Sequence, residues 1–223
     1  MRQVCLDTET TGSSVKAGNR IIEVGCVEVV DLKKTGNTFP KDGKQFLLDP
    51  ERGIEEGAIR VHGITPQMVK GRPKFKDIVD EFLEFIDGAE LIIHNAPFDL
   101  GFLNHELALI GKSSLQNPVL DTLSVARKKF PGQSASLDSL CKRFAIDNSS
   151  RTFHGALLDS ELLADVFIRM FENDGVTSNF ADWGKVKKST AVRPKVDFPI
   201  REFPISEDET TLHNQYLAEL GIV

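Results

Sequence analysis

The chain has three cysteines, no apolar run of membrane-spanning length and no surplus of basic charge. Cys5, Cys26 and Cys141 are far apart, and two of them fall in strand-like segments. They have no metal-ligand spacing and outline no disulfide framework, so buried, reduced thiols in a cytoplasmic protein are expected. Without a long apolar run there is no membrane-spanning helix. The N-terminus passes straight into Val4-Cys5-Leu6, without the basic-then-apolar opening of a secretory signal. A net charge of −6 argues against a protein that coats nucleic acid non-specifically, because such coating relies on excess Lys and Arg. It leaves room for an enzyme that grips one strand end through metal ions. What is present is a 40% hydrophobic share over 223 residues, enough for one good-sized domain plus an extra segment.

The most informative stretch is Val4-Cys5-Leu6-Asp7-Thr8-Glu9-Thr10-Thr11-Gly12. If Val4 to Thr10 is a strand, Asp7 and Glu9 face the same side, and Gly12 allows close approach to the backbone of the following turn. Two carboxylates side by side repel unless something cationic neutralises them. The plainer alternative has Glu9 solvated beyond the strand end and Asp7 capping a turn.

Further along, residues 21–30 read as a buried β-branched strand, Gly36-Asn37 as a turn and 44–49 as a third strand closed by Pro50. These three form an antiparallel meander. Residues 51–74 read as irregular, punctuated by Gly and Pro, with His62 exposed in a loop. Helical spacing runs from Phe75 to Asp87, with Gly88 as its terminal glycine. Leu91-Ile92-Ile93 reads as a central parallel strand. Asn95 and Pro97 then mark a helix start that puts Asp99 in the first turn, where the helix dipole alone would also favour an acid. Val119 to Leu123 is another strand end leading into a helix to Lys129, and Leu137 to Phe144 a short helix begun by Ser136. A long amphipathic helix carries Asp159 in its early turns. Five residues turn a helix by about 500°, so His154 belongs on the loop before it.

Four acids thus stand at strand ends or helix starts: Asp7, Glu9, Asp99 and Asp159, with His154 just before the last. Such a set suits hard divalent cations, and two ions about 4 Å apart can clamp the attacking and leaving oxygens of a phosphodiester displacement. Asp7 would bridge both ions, Glu9 and Asp159 complete one, and Asp99 reach the other directly or through water. His154 suits removal of a proton from the attacking water. Mg²⁺ and Mn²⁺ fit equally, since both accept octahedral oxygen ligands.

Asp7-x-Glu9-Thr-Thr-Gly, His94-Asn-Ala-Pro-Phe-Asp99 and His154-x4-Asp159 resemble the three exonuclease motifs of the DEDD superfamily, in its histidine-bearing branch. The resemblance spans roughly residues 2 to 172. It implies an α/β, RNase H-like fold, a mixed five-stranded sheet flanked by helices, and two-metal removal of nucleotides from 3′ ends as 5′-monophosphates. Val61-His-Gly-Ile64, Phe130-Pro-Gly132, Ser136-Leu-Asp-Ser-Leu-Cys141, Ile146-Asp-Asn-Ser149 and Arg151 to Asp159 resemble more closely the epsilon, or proofreading, subunits of bacterial DNA polymerase III. That resemblance puts His62 beside the terminal nucleotide and has Thr10 and its neighbours offer backbone groups to the terminal base. Asp7, Glu9 and Asp159 would share in holding the substrate. Some relatives have an acid near the substrate where Gly57 stands here, which leaves that contact open, with Glu55 and Glu56 adjacent.

After about Asn173 the composition changes. Residues 1–173 form the expected exonuclease domain, 174–195 a linker and 196–223 a tail. In the tail Ser206-Glu-Asp-Glu209 has the capping-box pattern, and Leu212, Tyr216, Leu217 and Leu220 form one stripe. The resemblance implies that this tail docks on the polymerase (alpha) subunit and that a small accessory subunit sits on the exonuclease domain. A sliding clamp is a further candidate partner, although Gly175 to Phe180 lacks the glutamine of the clamp peptide in relatives. Two other readings compete with this one. A stand-alone exoribonuclease of the same superfamily usually stops near the end of the catalytic domain. A non-catalytic adaptor would be expected to have lost at least one of the five motif residues.

Overall fold

The structure, a computed structural model, describes residues 1–172 except 42, 44 and 150, together with residues 207–219. The expected linker, the start of the tail through Ser206, the clamp-like stretch and Leu220 lie outside the described residues.

The first unit is built on a five-stranded sheet in the order β3-β2-β1-β4-β5. Strands β1 (Arg2–Thr10), β2 (Ile21–Val30) and β3 (Lys33–Phe39) run antiparallel. β4 (Glu90–Ile93) and β5 (Val119–Asp121) are parallel to β1. β1 is therefore central, and alternation along it divides the core. Val4 and Leu6 face one side, packed with residues of α3 (Phe75–Ile86) and α4 (Ala96–Leu109). Cys5 faces the other, packed with residues of α5 (Thr122–Lys129), α6 (Leu137–Arg143) and α7 (Ala156–Phe171). All three cysteines are buried and free, as expected.

The meander is present, but its third strand is not the one expected. β3 covers Lys33–Phe39, while the 44–49 stretch contributes a single bridge, Glu23 to Leu47. The hairpin turns at Asp31-Leu32, both at positive φ, as a two-residue loop between right-twisted strands requires. Neither residue signals such a turn in sequence. Gly36-Asn37, the expected turn, falls instead at the register shift of β3 on β2, where the Thr35 hydroxyl and the Asn37 amide donate to Glu28 at 2.8 and 2.7 Å.

Residues 51–74 also differ from expectation, because they contain helices α1 (Glu56–His62) and α2 (Pro66–Val69). The glycine at 63 ends α1 in the left-handed conformation rather than marking irregular chain. The helix at 75–86 and the glycine after it match, with Gly88 at φ 65°.

Residues 207–219 belong to a second unit, Lys187–Val223, and form helix α8 (Glu207–Glu219), starting where the capping pattern places it. Leu212 and Tyr216 are exposed on it, at 67% and 60%.

Candidate active site

β1 carries the site because its two faces lead to two different helices. Asp7 and Glu9 project on the α7 side and Thr8 on the α4 side. The Thr8 hydroxyl donates to Oδ1 of the buried Asp99 at 2.7 Å, fixing that carboxylate beside the strand end. Asn95 precedes α4 in the left-handed conformation and makes no side-chain cap. The turn is held instead by the Asn95 backbone N–H, which donates to Asp121 Oδ1 at 3.0 Å.

On the other face, two residues of β2 position α7. Gly25 pairs with Asp7 across the ladder, and any Cβ there would collide with the backbone of Ala156 and Leu157. The first turn of α7 thus lies directly on the strand, with the Ser160 hydroxyl donating to the Gly25 carbonyl at 2.8 Å. Gly155 precedes the helix and has no side chain with which to cap it. Buried Glu23, opposite Glu9, lies beside the start of α7, where the backbone N–H groups of Ala156 and Leu157 partly offset the burial that raises its carboxyl. Asp159, buried in the first turn, is thereby delivered to Glu9.

Metal-binding atoms of Glu9, His154 and Asp159 all lie within 4.8 Å of one another. His154 is on the loop before α7, as expected, with its backbone N–H donating to the Val61 carbonyl at 3.1 Å. Its side chain is 46% exposed. His62 differs from the bare expectation of an exposed loop histidine. It ends α1, is buried, and is held from both sides: Nδ1 accepts from the Ile64 N–H at 2.9 Å and Nε2 donates to the Thr10 carbonyl at 3.2 Å. Beside it, Gly12 leaves room for the Glu55 carboxylate and the Asn19 amide, which meet at 2.7 Å.

These groups border one cleft of about 360 Å³, lined by Asp7, Glu9, Thr10, His62, Asp99 and His154 among others. Its electrostatics follow from crowding acids at the rim of a core. Burial, then Asp159, Glu23 and Asp99, pushes the Glu9 carboxyl up to about 8. Burial is the largest influence on Asp99 too, which rises to about 7. Asp7 is raised well above the ordinary carboxylate range by burial, then by Asp99, Glu9 and Asp159. Both histidines are lowered. For His154 the causes are burial and the Arg151 cation, partly opposed by Asp159. For His62 burial leads, against its bond to Thr10. A set of hard oxygen donors raised in this way fits a divalent cation.

The structure thus brings Asp7, Glu9, Asp99, His154, Thr10 and His62 to one cleft, with Asp159 buried against Glu9 and His154. Sequence reasoning missed Thr8, Glu23 and Arg151. Thr8 and Glu23 could have been found only with the sheet register and the facing helices in hand. Arg151 stands within the quoted Arg151 to Asp159 stretch, but nothing in its spacing shows that it turns back on Asp159.

Comparison with known proteins gives consistent results. Residues 4–167 match the RNase_T family, described as exonuclease. The chain is 40% identical to the DNA polymerase III subunit epsilon of Rickettsia conorii, over 99% of this chain and 96% of that one. It is 48% identical to that of Escherichia coli, over 76% and 71% of the two chains. Among solved structures, it is similar to exonuclease X in complex with 5′ overhanging duplex DNA, with TM-score 0.63 and 25% identity over 82% of this chain and 99% of that one. The nuclease domain of 3′hExo, a DEDDh family member bound to rAMP, shares the fold at TM-score 0.65 and 21% identity, over 78% and 93%.

Proposed function

The chain belongs to the exonuclease family, among the epsilon subunits of DNA polymerase III, and on that premise we propose how its residues carry out 3′-5′ proofreading hydrolysis. The observation that carries the assignment is the convergence of Glu9, His154 and Asp159 within 4.8 Å, in the same cleft as Asp7 and Asp99. Asp7, Glu9, Asp99 and Asp159 would hold the divalent cations, two of them, Mg²⁺ or Mn²⁺. When bound, these supply positive charge to the attacking water and to the phosphate oxygens.

The remaining roles fall to the chain's own groups. His154, its pKa lowered by burial and by Arg151, is neutral at physiological pH and accepts the proton of the attacking water. Burial also keeps His62 neutral, and with the Thr10 backbone it forms the wall against the terminal nucleotide. Asp7, Glu9 and Asp159 would contribute to substrate binding by holding those cations. Thr8 and Glu23 keep Asp99 and the start of α7 in place.

The organisation proposed is an exonuclease domain over 1–173, a linker over 174–195 and a polymerase-binding tail over 196–223. The tail would engage the polymerase (alpha) subunit, a reading supported by the exposed Leu212 and Tyr216 of α8. The small accessory subunit is assigned to the exonuclease domain; the sliding clamp stays a candidate partner only, since residues 175–180 lack the glutamine of the clamp peptide in relatives. No helix among the described residues is long and apolar enough to cross a membrane. A cytoplasmic site of action is proposed with the role in replication.

The test is digestion of a 3′-labelled DNA strand, paired or mispaired at its end, with Mg²⁺ or EDTA and with Asp7→Ala as control. Faster loss of the mispaired end, abolished by EDTA and by the substitution, is expected. Trimming of RNA with DNA left intact would move the substrate to the exoribonuclease branch and overturn the proofreading role.

A further inference from the structure

Arg151, on the loop before α7, has a side chain only 6% exposed and contacts three functional groups at once. Its Nε and Nη2 donate to Oδ1 and Oδ2 of Asp159, each at 2.6 Å. Nη2 also stands 3.0 Å from Nδ1 of His154. Nη1 donates to Oδ1 of Asp138 at 2.7 Å, and Asp138 lies towards solvent, 58% exposed. One planar guanidinium therefore joins the proposed cation ligand, the proposed base and an acid outside the cleft.

Two features of these contacts conflict with the working site. A bidentate guanidinium engages both oxygens of a carboxylate in its plane, yet Asp159 is a member of the Glu9–His154–Asp159 set that suits a cation. A dication and a fixed guanidinium at one acid repel each other. In addition, a guanidinium only donates, so the His154 nitrogen facing it must be the one with the lone pair. While Arg151 holds that nitrogen, it cannot take a proton from water.

We propose that Arg151 is a positioning residue that shares Asp159 with the divalent cation by exchange. Its guanidinium gives up an Asp159 oxygen and His154 Nδ1 as the cation takes hold, and leans on Asp138 instead. Loading of the cation and release of the base become one event. Asp138 is suited to receive the guanidinium, being already bonded to it and steadied by the Asn148 amide at 3.0 Å. The inference rests on the cation reading of the site given above.

Mn²⁺ binding to the full chain, followed by calorimetry and by the Mn²⁺ paramagnetic resonance signal, separates the two ideas. If exchange operates, Arg151→Gln removes a competitor and binds Mn²⁺ about tenfold more tightly, within the usual range of site-to-site coupling. Asp138→Ala, at an exposed position where the fold tolerates change, takes away the receiving group and weakens binding several-fold. In the Arg151→Gln background, Asp138→Ala should have little effect. Weaker or unchanged binding in Arg151→Gln overturns the exchange, as does unchanged or tighter binding in Asp138→Ala, which serves alone if Arg151→Gln fails to fold. No Mn²⁺ binding by the parent chain, or binding that survives Asp159→Asn, would overturn the cation reading itself.

Discussion

At the scale of single residues, the cleft concentrates carboxylates that the fold alone does not neutralise. Glu9 is pushed from 4.5 to about 8 and Asp99 from 3.8 to about 7. The folded protein therefore retains protons that the unfolded chain has already released, and by linkage stability falls as pH rises through that interval. With EDTA present, the melting temperature should decline between about pH 5 and pH 8 and level off above, and saturating Mg²⁺ should flatten the slope. A profile in EDTA that is flat or rises over that interval would contradict the crowded-acid description. His154 calls for a different measurement, because it lies close enough to Glu9 and Asp159 to be mistaken for a ligand. As a base, it contributes to turnover and not to cation binding. His154→Ala should lose about 10²–10⁴-fold in kcat while Mn²⁺ affinity does not fall below that of the parent. A matching loss of Mn²⁺ affinity would recast the residue as a ligand.

At the scale of elements, the active geometry depends on how closely α7 approaches β2, and Gly25 sets that distance. Gly25→Ala places a methyl group against the backbone of Ala156 and Leu157. It should cost about 1–3 kcal/mol by overpacking and reduce activity further by moving Asp159. Gly101→Ala is the counterpart. It lies within α4, and a Cβ there meets nothing among the described residues within 4 Å, so it should gain about 0.5–1 kcal/mol from helix propensity. Denaturant melts of the two variants, with opposite signs expected, check the contrast. The same elements show why some of the fold was legible and some was not. Asp7 and Glu9 could be read because a strand of period two needs only local sequence to put both on one face. Asp99 and Asp159 could be read because each begins a strongly apolar helix. The third strand could not, since its turn at Asp31-Leu32 has no Gly or Asn to announce it, and the Gly36-Asn37 signal serves a bulge instead. Helix α1, only seven residues long, is too short for its periodicity to stand out among glycines. Arg151 and Glu23 were silent because their roles exist only once β2, α6 and α7 come together.

At the scale of the whole molecule, a chain of net charge −6 that acts on a polyanion cannot rely on general attraction to DNA. It needs cations at the cleft for the phosphate and a second, non-electrostatic attachment that keeps it near the strand end. The tail meets that second need if it holds the polymerase subunit, because tethering replaces weak encounter with a high effective concentration. Among the described residues of α8, Leu212 and Tyr216 are exposed large apolar side chains suited to such docking, while every proposed catalytic group lies between Asp7 and Asp159. The two functions should therefore separate. Leu212→Asp with Tyr216→Asp is expected to leave turnover on a short single strand unchanged and to abolish co-elution with the polymerase subunit. A peptide of residues 190–223 should bind that subunit by itself. If the doubly substituted chain still co-elutes, or the peptide fails to bind, the attachment lies elsewhere on the molecule and the proposed tail assignment falls.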